Sequence, residues 1–171
     1  MVTRRLATAA LLLAACGYRF TAPGGPLPAG IRYVHAPVFV NVTPEPGAEA
    51  FFTEALREQL IRAGTLGGEL SEAKIEGTVL AVSAFPMLTP ISDGGIPRPT
   101  YRLTATVGLR LLKNGAVVGA TQVSGEEDVL SGVGASSDVI VTGTEANRQA
   151  GLRRLADSLM REGYERLCTG W

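Results

Sequence analysis

The residue best placed for chemistry in this sequence is Cys16, which directly follows Leu13-Ala14-Ala15. This order resembles the lipobox, in which small residues precede a cysteine that takes a diacylglycerol and becomes the new N-terminus. Upstream, Arg4-Arg5 precedes an uncharged run over residues 6–15, which is the shape of a secretory leader. We predict a leader over residues 1–15 and lipidation of Cys16. An ordinary secretory leader that contains a cysteine is the alternative, and both export the protein.

The lipid expected on Cys16 determines where the chain would reside. A thioether-linked diacylglycerol with an amide-linked acyl chain such as palmitate anchors a protein stably, since each buried methylene contributes about 0.8 kcal/mol. In Gram-negative sorting, an aspartate directly after the cysteine favours retention in the inner membrane, and Gly17 occupies that position here. We therefore expect a lipoprotein of the outer membrane.

The remaining candidates for catalysis are sparse. The single histidine, His35, lies in a predicted strand without a neighbouring Ser or Cys motif, so a structural role is favoured over a catalytic one. The acidic run Glu126-Glu127-Asp128 could supply paired carboxylates for acid/base catalysis. Consecutive strand residues point to opposite faces, however. We therefore favour a solvent-exposed strand end over a catalytic pair. Cys168 ends an apolar stripe, which favours a small buried hydrophobe over a reactive thiol.

Cofactor sites are equally unsupported by the residue patterns. The double glycines at 24–25, 67–68 and 94–95 fit neither the G-x-G-x-x-G pattern nor the G-x-x-x-x-G-K-S/T pattern of nucleotide-binding loops. One His and two scattered Cys also lack the spacing of a metal site. We predict that the chain is not an enzyme and has no metal or cofactor. A lipid-anchored hydrolase is the least favoured interpretation.

A group of arginines offers the other possible binding chemistry. Arg102 and Arg110 fall on the polar side of a predicted strand, and Arg98 lies in the loop before it. A guanidinium is a planar, always charged fork that suits phosphate. These three residues are the candidate ligand contacts, and the alternative is that they are solvent-facing charges on a half-exposed sheet.

The bulk composition limits the number of domains and the class of partner. Removal of the leader takes away Arg4 and Arg5 from a chain with 16 basic and 16 acidic residues, which leaves a net charge of −2. This balance does not indicate nucleic acid as a partner. A Pro- and Gly-rich stretch within residues 16–30 predicts a lipidated tether, and residues 31–171 have the size of one domain.

Within that domain, hydrophobic periodicity predicts the elements that must position these side chains. We expect a first strand over 31–40, a second over 74–85, a loop over 86–99, a third strand over 101–111 and a fourth over 117–129. Asn114-Gly115 predicts a tight hairpin between the last two.

Two amphipathic helices complete the prediction. The first is expected to begin with Thr43 as N-cap and Pro44 at the first helical position. The second is expected to follow a Gly/Ser loop over 131–137 and to begin at a capping box of Thr142 and Glu145. The order β-α-β-β-β-α predicts an α+β fold, with two helices packed on one face of a four-stranded mixed sheet whose first crossover is parallel.

Several short segments together resemble one known family. They are Cys16-Gly17-Tyr18-Arg19-Phe20, Leu27-Pro28-Ala29-Gly30-Ile31, Val38-Phe39-Val40-Asn41-Val42-Thr43, Glu76-Gly77-Thr78-Val79, Tyr101-Arg102-Leu103 and Asn147-Arg148. Their order and spacing are similar to the lipopolysaccharide-assembly lipoprotein family (LptE), over essentially the whole mature chain.

The resemblance implies a fold and a set of partners. Members of the family have two helices on a four-stranded sheet, sit inside an outer-membrane β-barrel (LptD) as a plug, help that barrel assemble and bind lipopolysaccharide. The arginines at 98, 102 and 110 would then contact lipid A phosphates or acidic barrel residues. The resemblance implies a position facing the periplasm or the barrel lumen. The alternative function is a generic outer-membrane lipoprotein adaptor in another envelope complex.

Overall fold

The computed structural model describes residues 25–88, 99–131 and 137–169. Its strands and helices follow the predicted chain order. They are β1 (Val34–His35), β2 (Val40–Asn41), α1 (Ala48–Arg62), β3 (Ala73–Leu88), β4 (Pro99–Lys113), β5 (Ala116–Leu130) and α2 (Ser137–Thr169), preceded by a 3₁₀ turn over Pro28–Gly30. The α+β class with two helices is confirmed, but the sheet has five strands where four were predicted.

The additional strand comes from a break in the predicted first strand. β1 and β2 pair in succession with the same edge of β3, and both run parallel to it. Pro37 lies between them, and a proline cannot donate to a strand ladder. The predicted parallel crossover is confirmed.

The rest of the sheet is an antiparallel meander of β3, β4 and β5. The alternating residues of β4 from Leu103 to Leu111 are buried while the residues between them are not, so the predicted two-sided strand is confirmed. Between β4 and β5, Asn114 and Gly115 both have positive φ, 50° and 82°. That pair of conformations is typical of the tight turn predicted there.

Both helices pack on one side of the sheet. The stripe predicted for α2 lies in the core. It consists of Leu152, Leu155, Ala156, Leu159, Met160, Tyr164 and Leu167. Two glycines bring this helix close to the strands, because a Cβ on Gly151 would lie 2.2 Å from Cγ1 of Val129, and one on Gly163 would lie 2.5 Å from Cδ1 of Leu109.

The edge segment before α1 is held to that helix by polar contacts. The amide of Phe39 donates to Oγ1 of buried Thr53 at 3.0 Å. The Arg57 guanidinium donates twice to the carbonyl of Ala36, at 3.0 and 2.8 Å. These bonds satisfy backbone groups of the chain where it leaves the β3 ladder.

An ion pair connects the start of α1 to α2. Arg148 Nη1 lies 2.5 Å from Glu45 Oε1, and the same guanidinium donates twice to Glu145 at 2.9 Å. The hydrogen bond from Arg148 holds the pKa of Glu145 below its ordinary value. The two helices are thereby joined near their N-terminal halves.

Both predicted helix starts are wrong. α1 begins at Ala48 because Thr43 is engaged in a turn, where its hydroxyl donates to Oδ1 of Asn41 and accepts from the amide of Glu45. α2 begins at Ser137, ahead of the predicted capping box of Thr142 and Glu145. Glu145 lies inside this helix and pairs with Arg148 one turn onward.

The predicted tether contributes to the core. Leu27 and Ile31 are both buried, although Leu27 falls within the stretch predicted as tether. In the described part of the chain, no helix is both long enough and apolar enough to cross a membrane.

Gly77 offers a test of the packing of Phe39 against β3. A Cβ there would meet three ring atoms of Phe39 at 2.3–2.4 Å, and a buried aromatic ring has little room to move. We expect Gly77→Ala to lower the free energy of unfolding by about 1–3 kcal/mol, measured by urea denaturation.

Gly108 is the matched control, because it also lies in a strand but its added Cβ would be 3.6 Å from its nearest neighbour. Gly108→Ala should be neutral or stabilising by up to about 1 kcal/mol. The double variant Gly77→Ala with Phe39→Leu should recover part of the loss. A Gly77→Ala chain as stable as the parent would contradict this packing.

Candidate functional site

The side of the sheet opposite α1 and α2, here called the open face, contains the two described arginines that were predicted as ligand contacts. On β4 it carries the even-numbered residues, including Arg102 and Arg110, since the odd-numbered ones are buried under the helices. Cys16 and Arg98 lie outside the described residues, so their predicted roles stay predictions.

Arg102 is surrounded by acidic groups of β5. Its Nε and Nη2 donate to the two carboxylate oxygens of Asp128 at 2.7 and 2.9 Å, and Nη1 lies 3.3 Å from Glu126. The hydrogen bond from Arg102 holds the pKa of Asp128 below its ordinary value. The guanidinium fork is already occupied by a carboxylate.

Arg110 has its own acidic partner. Its Nη2 donates to Glu76 at 3.0 Å, and Lys74 lies 2.6 Å from the other oxygen of that carboxylate. The hydrogen bond from Lys74 is the largest cause that lowers the pKa of Glu76. This cluster leaves one cationic charge in excess.

The two arginines do not belong to one site. They are eight residues apart on β4, which at about 3.3 Å per residue separates them by about 26 Å. The charges of the open face also balance, with three basic and three acidic groups: Lys74, Arg102, Arg110, Glu76, Glu126 and Asp128. The described surface is therefore not a basic patch.

Exposed apolar side chains on the open face form a second feature, here called the apolar strip. It consists of Leu80, Phe85 and Met87 on β3 and Leu130 on β5. Phe85 is 56% exposed and lies opposite Arg102 in the ladder, and Met87 lies opposite Thr100, whose other partner is Leu130. Phe85, Met87 and Leu130 thus border the Arg102 ion pair, whereas Leu80 lies farther along the sheet beside Gly108.

The apolar strip was missed from sequence for a physical reason. Uninterrupted alternation from buried Ile75 would place Phe85 on the helix-covered side. The register shifts by one residue between Val79 and Ala81, and such a bulge moves every later side chain to the opposite face. Alternation of Phe85 and Met87 with Ala84 and Pro86 was the available signal.

The other residues considered for chemistry do not form a catalytic group, and His35 pairs with Lys74 at the β1 edge of the open face. His35 is half-buried in β1. Glu127 points to the helix side and pairs with Arg154 at 2.6 Å, so the expected division of the acidic run between two faces is confirmed. Cys168 is half-buried, and burial raises the pKa of its thiol.

The helix side of the domain has a groove beside α1. A groove of about 480 Å³ runs between Val38 and the outer side of α1. Two of its walls, Val38 and Ile61, are more than 60% exposed, which makes it a surface groove. Within residues 25–88, 99–131 and 137–169, no group of three or more His, Cys, Asp or Glu could hold a metal ion.

Solved structures contain the same fold. A hypothetical protein of Chlamydia trachomatis superposes with a TM-score of 0.52 at 13% identity, over 81% of this chain and 96% of that one. A Caulobacter crescentus protein described as a lipoprotein gives 0.50 at 18% identity, over 77% and 89%. At these identities the likeness concerns the fold alone. The comparison with curated proteins finds no match.

The match to a protein family is more informative, because it covers most of the chain. The model described as lipopolysaccharide-assembly, LptE, matches residues 31–167, which include β1 to β5, α1 and nearly all of α2. The resemblance found in the sequence is confirmed, and the chain belongs to the lipopolysaccharide-assembly (LptE) family.

Proposed function

We propose that this protein is an outer-membrane lipoprotein that plugs an LptD-like translocon barrel, helps the barrel assemble and assists lipopolysaccharide transport to the cell surface. The observation that carries the proposal is the family match over residues 31–167. Within that match lies a two-layer domain whose sheet, in the residues that the structure describes, is covered by helices on one side only. The open face is the surface available to a partner.

The composition of the open face suits contact with the wall of a protein barrel. Interface centres are enriched in aromatic residues and Met, and charged groups are found at their rims. The apolar strip provides Phe85 and Met87 beside Arg102 and its carboxylates. The open face carries positive and negative groups beside apolar ones. A partner surface complementary to it would therefore also carry charges of both signs.

The proposed role for Arg98, Arg102 and Arg110 is contact with lipid A phosphates or with acidic residues of the barrel. Around Arg102 the carboxylates of Glu126 and Asp128 would repel a phosphate, so we expect its contribution to lipopolysaccharide affinity to be small. Arg110 shares one carboxylate with Lys74, so a phosphate would meet a cluster with net positive charge. Arg110 is the better phosphate contact of the two.

Attachment is the remaining part of the proposal. A lipid on Cys16 would hold the domain at the outer membrane, facing the periplasm or the lumen of the barrel that it would plug. Support comes from the lipobox order before Cys16 and from the uncharged leader.

The proposed docking of the open face can be tested by charge insertion. Phe85→Asp should reduce the amount of barrel protein recovered with the affinity-purified lipoprotein from solubilised outer membrane roughly thirtyfold, since loss of an aromatic anchor costs about 2 kcal/mol or more. Quantitative mass spectrometry of the purified complex provides the measurement.

Ile61→Asp is the matched control, because Ile61 is 61% exposed against 56% for Phe85 but lies on the helix side. Recovery with Ile61→Asp should equal that of the parent. Unchanged recovery with Phe85→Asp would exclude the open face as the docking surface. Recovery of a different envelope protein in place of a large barrel would favour the adaptor alternative.

The arginine proposal has a separate test. A triple Arg→Gln variant at 98, 102 and 110 should weaken lipopolysaccharide binding about fivefold, because partly exposed ion pairs contribute about 1 kcal/mol or less. The loss should shrink at high salt. Binding of fluorescent lipopolysaccharide to the detergent-solubilised lipoprotein is the measurement.

Three exposed arginines of α2, on the helix side of the sheet, serve as the control set, namely Arg154, Arg161 and Arg166. Their replacement by Gln makes the same change in net charge and should leave affinity within about twofold, as expected for charges screened by solvent. Equal affinity of both triple variants and the parent would exclude the proposed contacts.

A further inference from the structure

One end of the sheet, here called the hairpin end, brings together three segments that are distant in sequence. The β4–β5 turn forms its tip, and the amide of Asn114 in that turn donates to the carbonyl of Glu72 in the α1–β3 loop at 2.8 Å. Lys113 Nζ donates to the carbonyl of Ala29 in the N-terminal segment at 3.0 Å. The tip, the loop and the incoming chain are thus fixed to one another.

Apolar side chains are exposed at this end without a role in the core. Leu70 in the α1–β3 loop is 102% exposed, Tyr33 just before β1 is 59% exposed, and Val117 and Val118 at the start of β5 are 53% and 38% exposed. Single exposed apolar residues are ordinary. A group at one end of a domain is typical of a contact surface.

The path of the chain identifies what this surface would meet. Leu27 is buried and Ala29 is bonded to Lys113, so the N-terminal segment is fixed at the hairpin end. Nine Cα steps lead from Cys16 to Gly25, a span of at most about 32 Å. A lipid on Cys16 would therefore keep the hairpin end close to the bilayer.

The far end of the sheet is much less suited to that contact. Phe85 lies opposite Arg102, eleven residues along β4 from Lys113, or about 36 Å at 3.3 Å per residue. That distance exceeds the longest span of the tether. Anchored at Cys16, the domain would point its hairpin end toward the lipid and its far end away.

Charges at the hairpin end permit this approach. In the turn, the loop and the incoming segment, Arg32 and Lys113 are balanced by Glu69 and Glu72, and Lys113 lies 3.5 Å from Glu72. Lys74, at the start of β3, is paired with Glu76 at 2.6 Å. A surface without net charge is neither attracted nor repelled strongly by headgroups, so apolar contact would dominate. Tyr33 also suits a boundary between lipid and water, since its ring is apolar and its hydroxyl polar.

We propose that the hairpin end, through Tyr33, Leu70, Val117 and Val118, rests in the headgroup region of the membrane that holds the lipid anchor. The inference depends on the lipidation of Cys16 in the proposed function. It adds a second membrane contact that would fix the orientation of the domain. The hairpin end would face the bilayer, and the far end of the open face, with Phe85, would point away from it.

Depth-dependent fluorescence quenching tests this orientation. The full lipidated chain, in a Cys168→Ala background, carries an NBD probe at Leu70→Cys, Val117→Cys or Phe85→Cys, and is reconstituted in phosphatidylcholine vesicles with or without brominated acyl chains. Phe85 is the matched control, since it is 56% exposed against 53% for Val117. Quenching should be at least about threefold stronger at positions 70 and 117, because headgroup insertion brings a probe within about 10 Å of the acyl chains.

Addition of phosphatidylglycerol to the vesicles should leave this difference unchanged, as expected for an uncharged contact. Equally weak quenching at all three positions, with lipid on Cys16 verified by mass spectrometry of the N-terminal peptide, would overturn this inference and leave the proposed anchor intact. An unmodified Cys16 would overturn both. Probe shielding that rises with protein concentration in the absence of vesicles would also overturn it, since a second copy would then cover the hairpin end.

Discussion

The close packing of α2 against β4 and β5 is the contact on which the rest of this domain depends. Gly151 and Gly163 let the helix approach until their missing side chains would collide with Val129 and Leu109. At that distance, one stripe of α2 and the odd-numbered residues of β4 exclude water from a continuous core. Both described helices lie on this one side, and the other side of the sheet is not covered by a described helix.

The open face is exposed in this structure, and its ion pairs keep it polar. Arg102 and Arg110 are each held by carboxylates on neighbouring strands, so the face carries no net charge and its apolar strip is flanked by fixed polar groups. On β5, where the sheet has a free edge, side chains of α2 bind outward carbonyls: Arg166 donates to Gln122 and Asn147 to Leu130. Occupied edge carbonyls discourage nonspecific pairing with other strands.

Sequence patterns predicted the elements that are governed by local periodicity. The alternation in β4, the Asn114-Gly115 turn and the α2 stripe each depend on residues within one element, and the structure contains all three. What depends on tertiary contacts was predicted poorly. Thr43 forms a turn with Asn41 where a helix cap was expected, because Asn41 is itself bonded to Glu49 across the β2–α1 junction. Arg102 was predicted as a ligand contact, and the carboxylates that occupy it were not foreseen because they are 24 and 26 residues away in sequence. The bulge after Val79 moves Phe85 and Met87 to the open face, where alternation continued from Ile75 would not place them.

Site-specific photo-crosslinking in living cells tests most directly whether the open face is the docking surface of this LptE-family protein. A photoreactive residue at Thr104 or Thr106 on β4 samples the open face, and one at Glu54 or Asp157 samples the outer side of the helices. We expect adducts with a large outer-membrane barrel protein from the two β4 positions only. Adducts with the barrel that arise mainly from the helix positions would contradict the account.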